Sequence, residues 1–179
     1  MHLHETRLDS QTLYRGKIVN VRMDRISLPD GREATREVVE HPGGVAVVAL
    51  TEEGNVLMVR QFRYPFGEVT QEIPAGKLEP GEDPAVSALR ELREETGFIS
   101  ARLEPLGEIY ASPGVYGEKL HLFLAEELSF LGQCLDDEEF LSVESVPLHE
   151  LINRAVRNEI KDAKTVVGIM LTRERIKQR

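Results

Sequence analysis

Residues 83–97 constrain the surrounding fold more than any other stretch of the chain. Asp83 is an N-cap residue, Pro84 follows at the first helical position, where a missing amide proton costs nothing, and Gly97 stands where a left-handed residue ends a helix. Between them Ala85, Ala88, Leu89 and Leu92 recur at helical spacing, so the segment predicts an amphipathic helix of about three turns. One apolar stripe on a short helix has to lie against another layer. The rest of the chain offers strands for that layer, which makes this a mixed α+β protein.

From Leu13 to Glu40 the pattern is strand-like. Val19, Val21 and Met23 alternate, Ile26 and Leu28 resume one register later, and Pro29-Asp30-Gly31-Arg32 supplies a turn before Ala34 to Glu40. His41-Pro42-Gly43-Gly44 then breaks the pattern. It divides a small antiparallel meander, residues 1–43, from a main domain, residues 44–179. Val45–Leu50 and Val56–Arg60 read as a buried hairpin, and a Gly- and Pro-rich loop runs from Glu72 to Gly81. After the helix come strand-like segments at 106–111, 120–125 and 140–146, then helical patterns over 148–158 and from Ala163 to the basic tail. There is no internal repeat.

A length of 179 residues suits one domain with a small appendage. With 22 Lys plus Arg against 31 Asp plus Glu, the net charge of -9 repels nucleic-acid backbones and anionic membranes, so neither is an expected partner. Cys134 is the only cysteine, which excludes an intramolecular disulfide and a cysteine-built zinc site. The first ten residues carry charge in place of an apolar signal core, no stretch reaches the length of a membrane span, and the expected setting is cytoplasmic.

The helix's other face carries the chemistry. Glu91, Glu94 and Glu95 lie at spacings that gather three carboxylates away from the Ala/Leu stripe. Such a face is either solvated or a platform for a hard divalent cation that removes the mutual repulsion. The wider spacing decides between them: Gly76, five residues, Glu82, seven residues, Arg90-Glu91-Leu92, Arg93, Glu94-Glu95-Thr96-Gly97-Phe98. At roughly 6% per position, seven fixed residues recur by chance on the order of one time in a million or less. This pattern resembles the signature of the Nudix hydrolases.

The resemblance implies an α/β/α sandwich whose loop-helix-loop unit hydrolyses a nucleoside diphosphate linked to another group. Magnesium, with manganese as a substitute, would be held by Glu91, Glu94, Glu95 and the carbonyl of Ala75; Gly76, Glu82 and Gly97 would support the unit, and Arg90 would brace the loop against the helix. Other stretches are similar to the ADP-ribose pyrophosphatase branch: Arg36 to Gly43, Gln61-Phe62-Arg63-Tyr64-Pro65, Glu72 to Gly76, Ser112-Pro113-Gly114 and Lys161-Asp162-Ala163-Lys164-Thr165. That likeness implies substrate contacts from Arg36, Arg63, Pro113 and Glu118, and a glutamate from the acidic loop, Glu139 or its neighbour Glu138, that activates or orients the attacking water. Glu94 and Arg90 would share in catalysis. Val115-Tyr116-Gly117 depart from the branch, where an aromatic, a small residue and an acid or amide are common.

The expected reaction is hydrolysis of ADP-ribose to AMP and ribose 5-phosphate. The alternatives are a related pyrophosphatase acting on a nucleotide sugar such as GDP-mannose, or a non-catalytic nucleotide sensor, which the intact set of motif carboxylates disfavours. Similar enzymes exchange the amino-terminal segment between subunits, and a meander of about 30 residues is too small to bury a core alone, so a homodimer is expected.

Overall fold

The computed structural model describes residues 3–135 and 139–179. It contains β1 (Thr6–Arg15), β2 (Asn20–Ser27), β3 (Glu33–Glu40), β4 (Gly44–Leu50), β5 (Asn55–Arg63), β6 (Glu68–Glu72), β7 (Ala75–Lys77), α1 (Pro84–Thr96), β8 (Phe98–Ser112), β9 (Tyr116–Phe130), β10 (Leu141–Pro147), α2 (Leu148–Val156) and α3 (Ala163–Lys177). Two compact units emerge: Met1–Gly43 with Tyr110–Lys119, and Gly44–Ile109 with Leu120–Arg179.

In the first unit β1, β2 and β3 form an antiparallel meander, with β2 in the middle and Val39 of β3 beside Tyr116. The turn after β2 closes through the Gly31 amide on the Leu28 carbonyl, with Gly31 at φ 86°. Of the three strands only β2 has fully buried residues, Asp24 and Ile26, whereas every residue of β1 is exposed. The polar run at 6–12 lacks the alternation that marks a strand, which is why the expected meander starts later than the observed one.

The second unit is built around β4, whose run Gly44–Ala49 is buried on both faces, as expected of a strand with cover on either side. β4 pairs antiparallel with β5 and β7 and parallel with β9, and β5 pairs further with β6 and β10. Its side chains alternate between two cores. Ala46 and Val48 join Met58, Ile73 and Leu122 under α2 and α3, through Leu151 and Ile169. Val45, Val47 and Ala49 join Leu57 and Phe123 under α1, through Ala88 and Leu92. Helices thus cover both faces of a mixed sheet, the sandwich expected above. β6 and β7 are additions: five and three residues long, they carry Glu, Gln, Gly and Lys, and register only through pairing with β5 and β4.

Among the described residues, no helix is long and apolar enough to cross a membrane.

Candidate active site

α1 starts and stops where its caps predict. Asp83 Oδ1 accepts from the Ala85 and Val86 amides at 2.8 and 3.4 Å, and Gly97, at φ 78°, donates its amide to the Arg93 carbonyl at 2.8 Å. The segment after β9 closes the carboxyl end: Leu131 and Gly132 donate to the Gly97 carbonyl, Gln133 Nε2 to that of Glu95 and the Cys134 amide to that of Glu94. Leu92 and Ala88 face the core as expected, but Leu89 stands at the edge, 36% exposed.

The acidic face differs from a solvated one. Glu91 and Glu95 are 9% and 3% exposed, with Ala75 and Gly76 of β7 against them; Glu94 stays partly open. Gly76 makes this approach possible: a Cβ there would fall 1.9 Å from Glu91 Cδ. The Ala75 amide donates to Glu95 Oε2 at 2.9 Å.

Arg90 organises the surroundings. Its Nε and Nη2 take the two oxygens of Glu82 at 2.9 and 3.0 Å, Nη1 reaches Glu91 Oε1 at 2.7 Å and Glu94 Oε2 at 2.9 Å, and Nη2 also meets Ser87 Oγ and the Lys77 carbonyl. Hydrogen bonds from Arg90, helped by the Glu79 amide, hold the Glu82 carboxyl down at about 2. The two buried acids move the other way. Desolvation pushes Glu91 upward against the pull of Arg90, with Glu94 and Glu139 adding to the rise. Desolvation also drives Glu95 up to about 8; the Ala75 amide opposes this, while the charges on Glu91 and Glu139 reinforce it. Glu139, half-buried and distant in sequence, therefore acts electrostatically on both motif acids. Glu138 lies outside the described residues.

Among the described residues no three acidic or imidazole side chains converge in a ready metal cage, and the single positive charge of Arg90 bridges Glu91 and Glu94. The donor chemistry nevertheless fits a hard cation: desolvated carboxylate oxygens in mutual repulsion, set beside a glycine that leaves no room for a side chain.

The remaining predicted residues sit elsewhere. In the first unit, Arg36 is engaged by Glu5, and Glu118 lies 3.6 Å from His41, whose ring packs on Tyr116. Pro113 and Glu118 line one cavity of about 250 Å³ with Tyr110, Tyr116 and Gly117. Phe62, Tyr64 and Phe66, which belong to the second unit, are all exposed. In the second unit, the fork of Arg63 is filled by Glu72, both contacts at 2.7 Å. Glu72 is buried and also meets Thr70 and Lys164. Burial alone would raise its carboxyl, but Arg63, Lys164 and Thr70 outweigh that and hold it at about 2. Except for Thr70, the members of this network, which Asp162 and Thr165 continue, lie in stretches singled out above by their likeness to the family branch, but their mutual pairing was not expected, and Arg63 was expected to meet substrate; the one local signal for the pairing is the spacing of Asp162 and Thr165, that of an N-cap.

With this geometry in hand, comparison with known proteins defines the class. A family model described as NUDIX domain matches residues 40–166, and one described as Nucleoside diphosphate sugar hydrolase N-terminal domain matches residues 5–39. The chain belongs to the Nudix hydrolase family. It is 44% identical to an ADP-ribose pyrophosphatase of Bacillus subtilis (strain 168), over 93% of this chain and 91% of that protein. It is 41% identical to a methanol dehydrogenase activator of Bacillus methanolicus, over 92% of this chain and 90% of that one. The fold matches a crystal structure of an ADP compounds hydrolase with a TM-score of 0.87 at 22% identity, covering 99% of this chain and 97% of the other.

Proposed function

We propose that the chain hydrolyses the pyrophosphate of ADP-ribose with water, giving AMP and ribose 5-phosphate. The observation that carries this reading is the burial of the Glu91 and Glu95 carboxylates against Ala75 and Gly76, on a helix whose loop Arg90 braces. The 44% identity to an ADP-ribose pyrophosphatase supports the substrate.

Magnesium, or manganese in its place, would be held by Glu91, Glu94, Glu95 and the Ala75 carbonyl. Bound there, the cation supplies charge neutralisation at the diphosphate and acidifies a bound water. The chain's own residues do the rest. Arg90 fixes Glu91 and Glu94 and ties them to Glu82; Gly76 makes room for the Glu91 carboxylate; Glu139 receives the proton of the attacking water, with Glu138 the neighbouring candidate. Gly97 sets the end of α1, and Arg36, Arg63, Pro113 and Glu118 contact the nucleotide or its ribose.

The enzyme is proposed to be a cytoplasmic homodimer, joined through residues 1–43, with residues 44–179 as the hydrolase domain. The support is β1, which exposes Leu8, Leu13 and Tyr14 together with every other residue it has. The resemblance to a methanol dehydrogenase activator favours a second reading, in which hydrolysis serves to activate a dehydrogenase.

A panel of nucleoside diphosphate derivatives, including ADP-ribose and GDP-mannose, assayed with Mg2+ and resolved by chromatography, tests the proposal. AMP and ribose 5-phosphate in equal amounts are the expected products; preferential cleavage of GDP-mannose would replace this reading with the alternative.

A further inference from the structure

Between the last β5–β6 pair, Val59 with Glu72, and the first residue of β7, Ala75, the chain passes through Ile73 and Pro74. Three hydrogen bonds fix this short link. The Val47 amide donates to the Pro74 carbonyl at 2.9 Å, the Ala75 amide to Glu95 Oε2 at 2.9 Å, and the Ile73 amide to Thr165 Oγ1 at 2.8 Å. Thr165 is fully buried in the first turn of α3, and its hydroxyl donates in turn to Asp162 Oδ2 at 2.5 Å, the same oxygen that caps α3 by accepting the Thr165 amide at 3.0 Å. The neighbouring Lys164 bridges Asp162 and Glu72. Contact behind the link is also close: a Cβ on Gly168, one turn along α3, would lie 3.0 Å from Ile73 Cδ1.

We propose that Thr165 is a positioning residue for the carboxylate cluster, acting from α3 through Ile73 on the Ala75 backbone, whose amide holds Glu95 and whose carbonyl is the proposed metal ligand. The inference rests on the metal-binding reading given above. A hydroxyl can accept from one group while donating to another; valine has the same shape and can do neither. Losing it leaves the Ile73 amide and the Asp162 carboxylate without that partner and frees the link by which Glu95 is oriented. Such outer contacts typically change metal affinity or turnover by about 10–100-fold.

The test compares Thr165→Val with Thr165→Ser, in the full-length protein. Mn2+ binding is titrated by electron paramagnetic resonance without substrate, and kcat and KM for ADP-ribose are measured separately. Thr165→Val is expected to weaken Mn2+ binding about tenfold and lower kcat about tenfold, with KM changed by less than about twofold, while Thr165→Ser restores both. A purely structural role would lower the unfolding temperature and leave the Mn2+ affinity of the folded protein intact. Folded Thr165→Val with wild-type Mn2+ affinity therefore overturns the proposal. Should Thr165→Val fail to fold by circular dichroism, Lys164→Met, which loosens the same turn from the Glu72 side, decides: weaker Mn2+ binding supports the inference and unchanged binding overturns it. Wild-type protein that binds Mn2+ without cleaving ADP-ribose would defeat the substrate reading alone, since the binding comparison still decides; wild-type protein that binds no Mn2+ overturns both.

Discussion

At the scale of single residues, Gly76 and Glu139 are the most informative. A methyl group at Gly76 would collide with the far end of a flexible side chain, not with backbone, so Gly76→Ala should leave the fold nearly as stable while displacing the Glu91 carboxylate. Turnover is expected to fall roughly tenfold to a hundredfold, with a change in unfolding temperature of only a few degrees, measured by steady-state kinetics and thermal unfolding. Glu139→Gln should lower kcat by about 10²–10⁴ with little change in KM, because a group that takes a proton acts mainly in the transition state. A large loss from Glu138→Gln and none from Glu139→Gln would move that role one residue back. Glu91, Glu94, Glu95 and Arg90 were legible in the sequence because they fall on positions of the Nudix signature along one helix. Their burial was not: helix periodicity sends acids to solvent, and the cover comes from β7, a strand of three residues with no pattern of its own. Thr165 lies 92 residues from its partner Ile73, a contact no local spacing can announce.

Among the elements, α1 was readable to the residue because both ends carry capping chemistry, whereas β1 and β6 are polar enough to pass for loops. The junction of β6 with α3 has a pH dependence of definite sign. Glu72 is held at about 2 against an ordinary 4.5, so as pH falls through that interval the unfolded chain takes up the proton first and stability is lost. Full protonation should remove about 3 kcal/mol. Urea unfolding of wild type and Glu72→Gln between pH 5 and pH 2 would show the difference: the variant starts less stable, since Arg63 and Lys164 lose their partner, and declines less steeply in acid. Parallel slopes would mean that Glu72 is not the titrating group.

For the whole molecule, the two-unit division follows from packing density along the chain. β4 to β9 enclose two apolar cores, whereas the amino-terminal meander buries little beyond Asp24 and Ile26. Its unburied leucines motivate the dimer. Light scattering at micromolar concentration should give twice the 20.2 kDa of one chain, and Leu8→Lys with Leu13→Lys should shift it toward the monomer. Local patterns carried the mixed α+β class and the site helix, and the sandwich came with the family resemblance; the pairing of β4 with β9, across 75 residues or more, is a property of the folded chain alone. Metal-dependent cleavage of ADP-ribose at the carboxylates of α1 is decided by kcat/KM for ADP-ribose and GDP-mannose with Mg2+, measured for wild type and Glu95→Gln. A clear preference for ADP-ribose in the wild type is expected, with a loss of at least about 10²-fold in a folded Glu95→Gln protein, which keeps an oxygen for the Ala75 amide but loses the charge. Near-wild-type turnover of ADP-ribose by Glu95→Gln at saturating Mg2+ would contradict it.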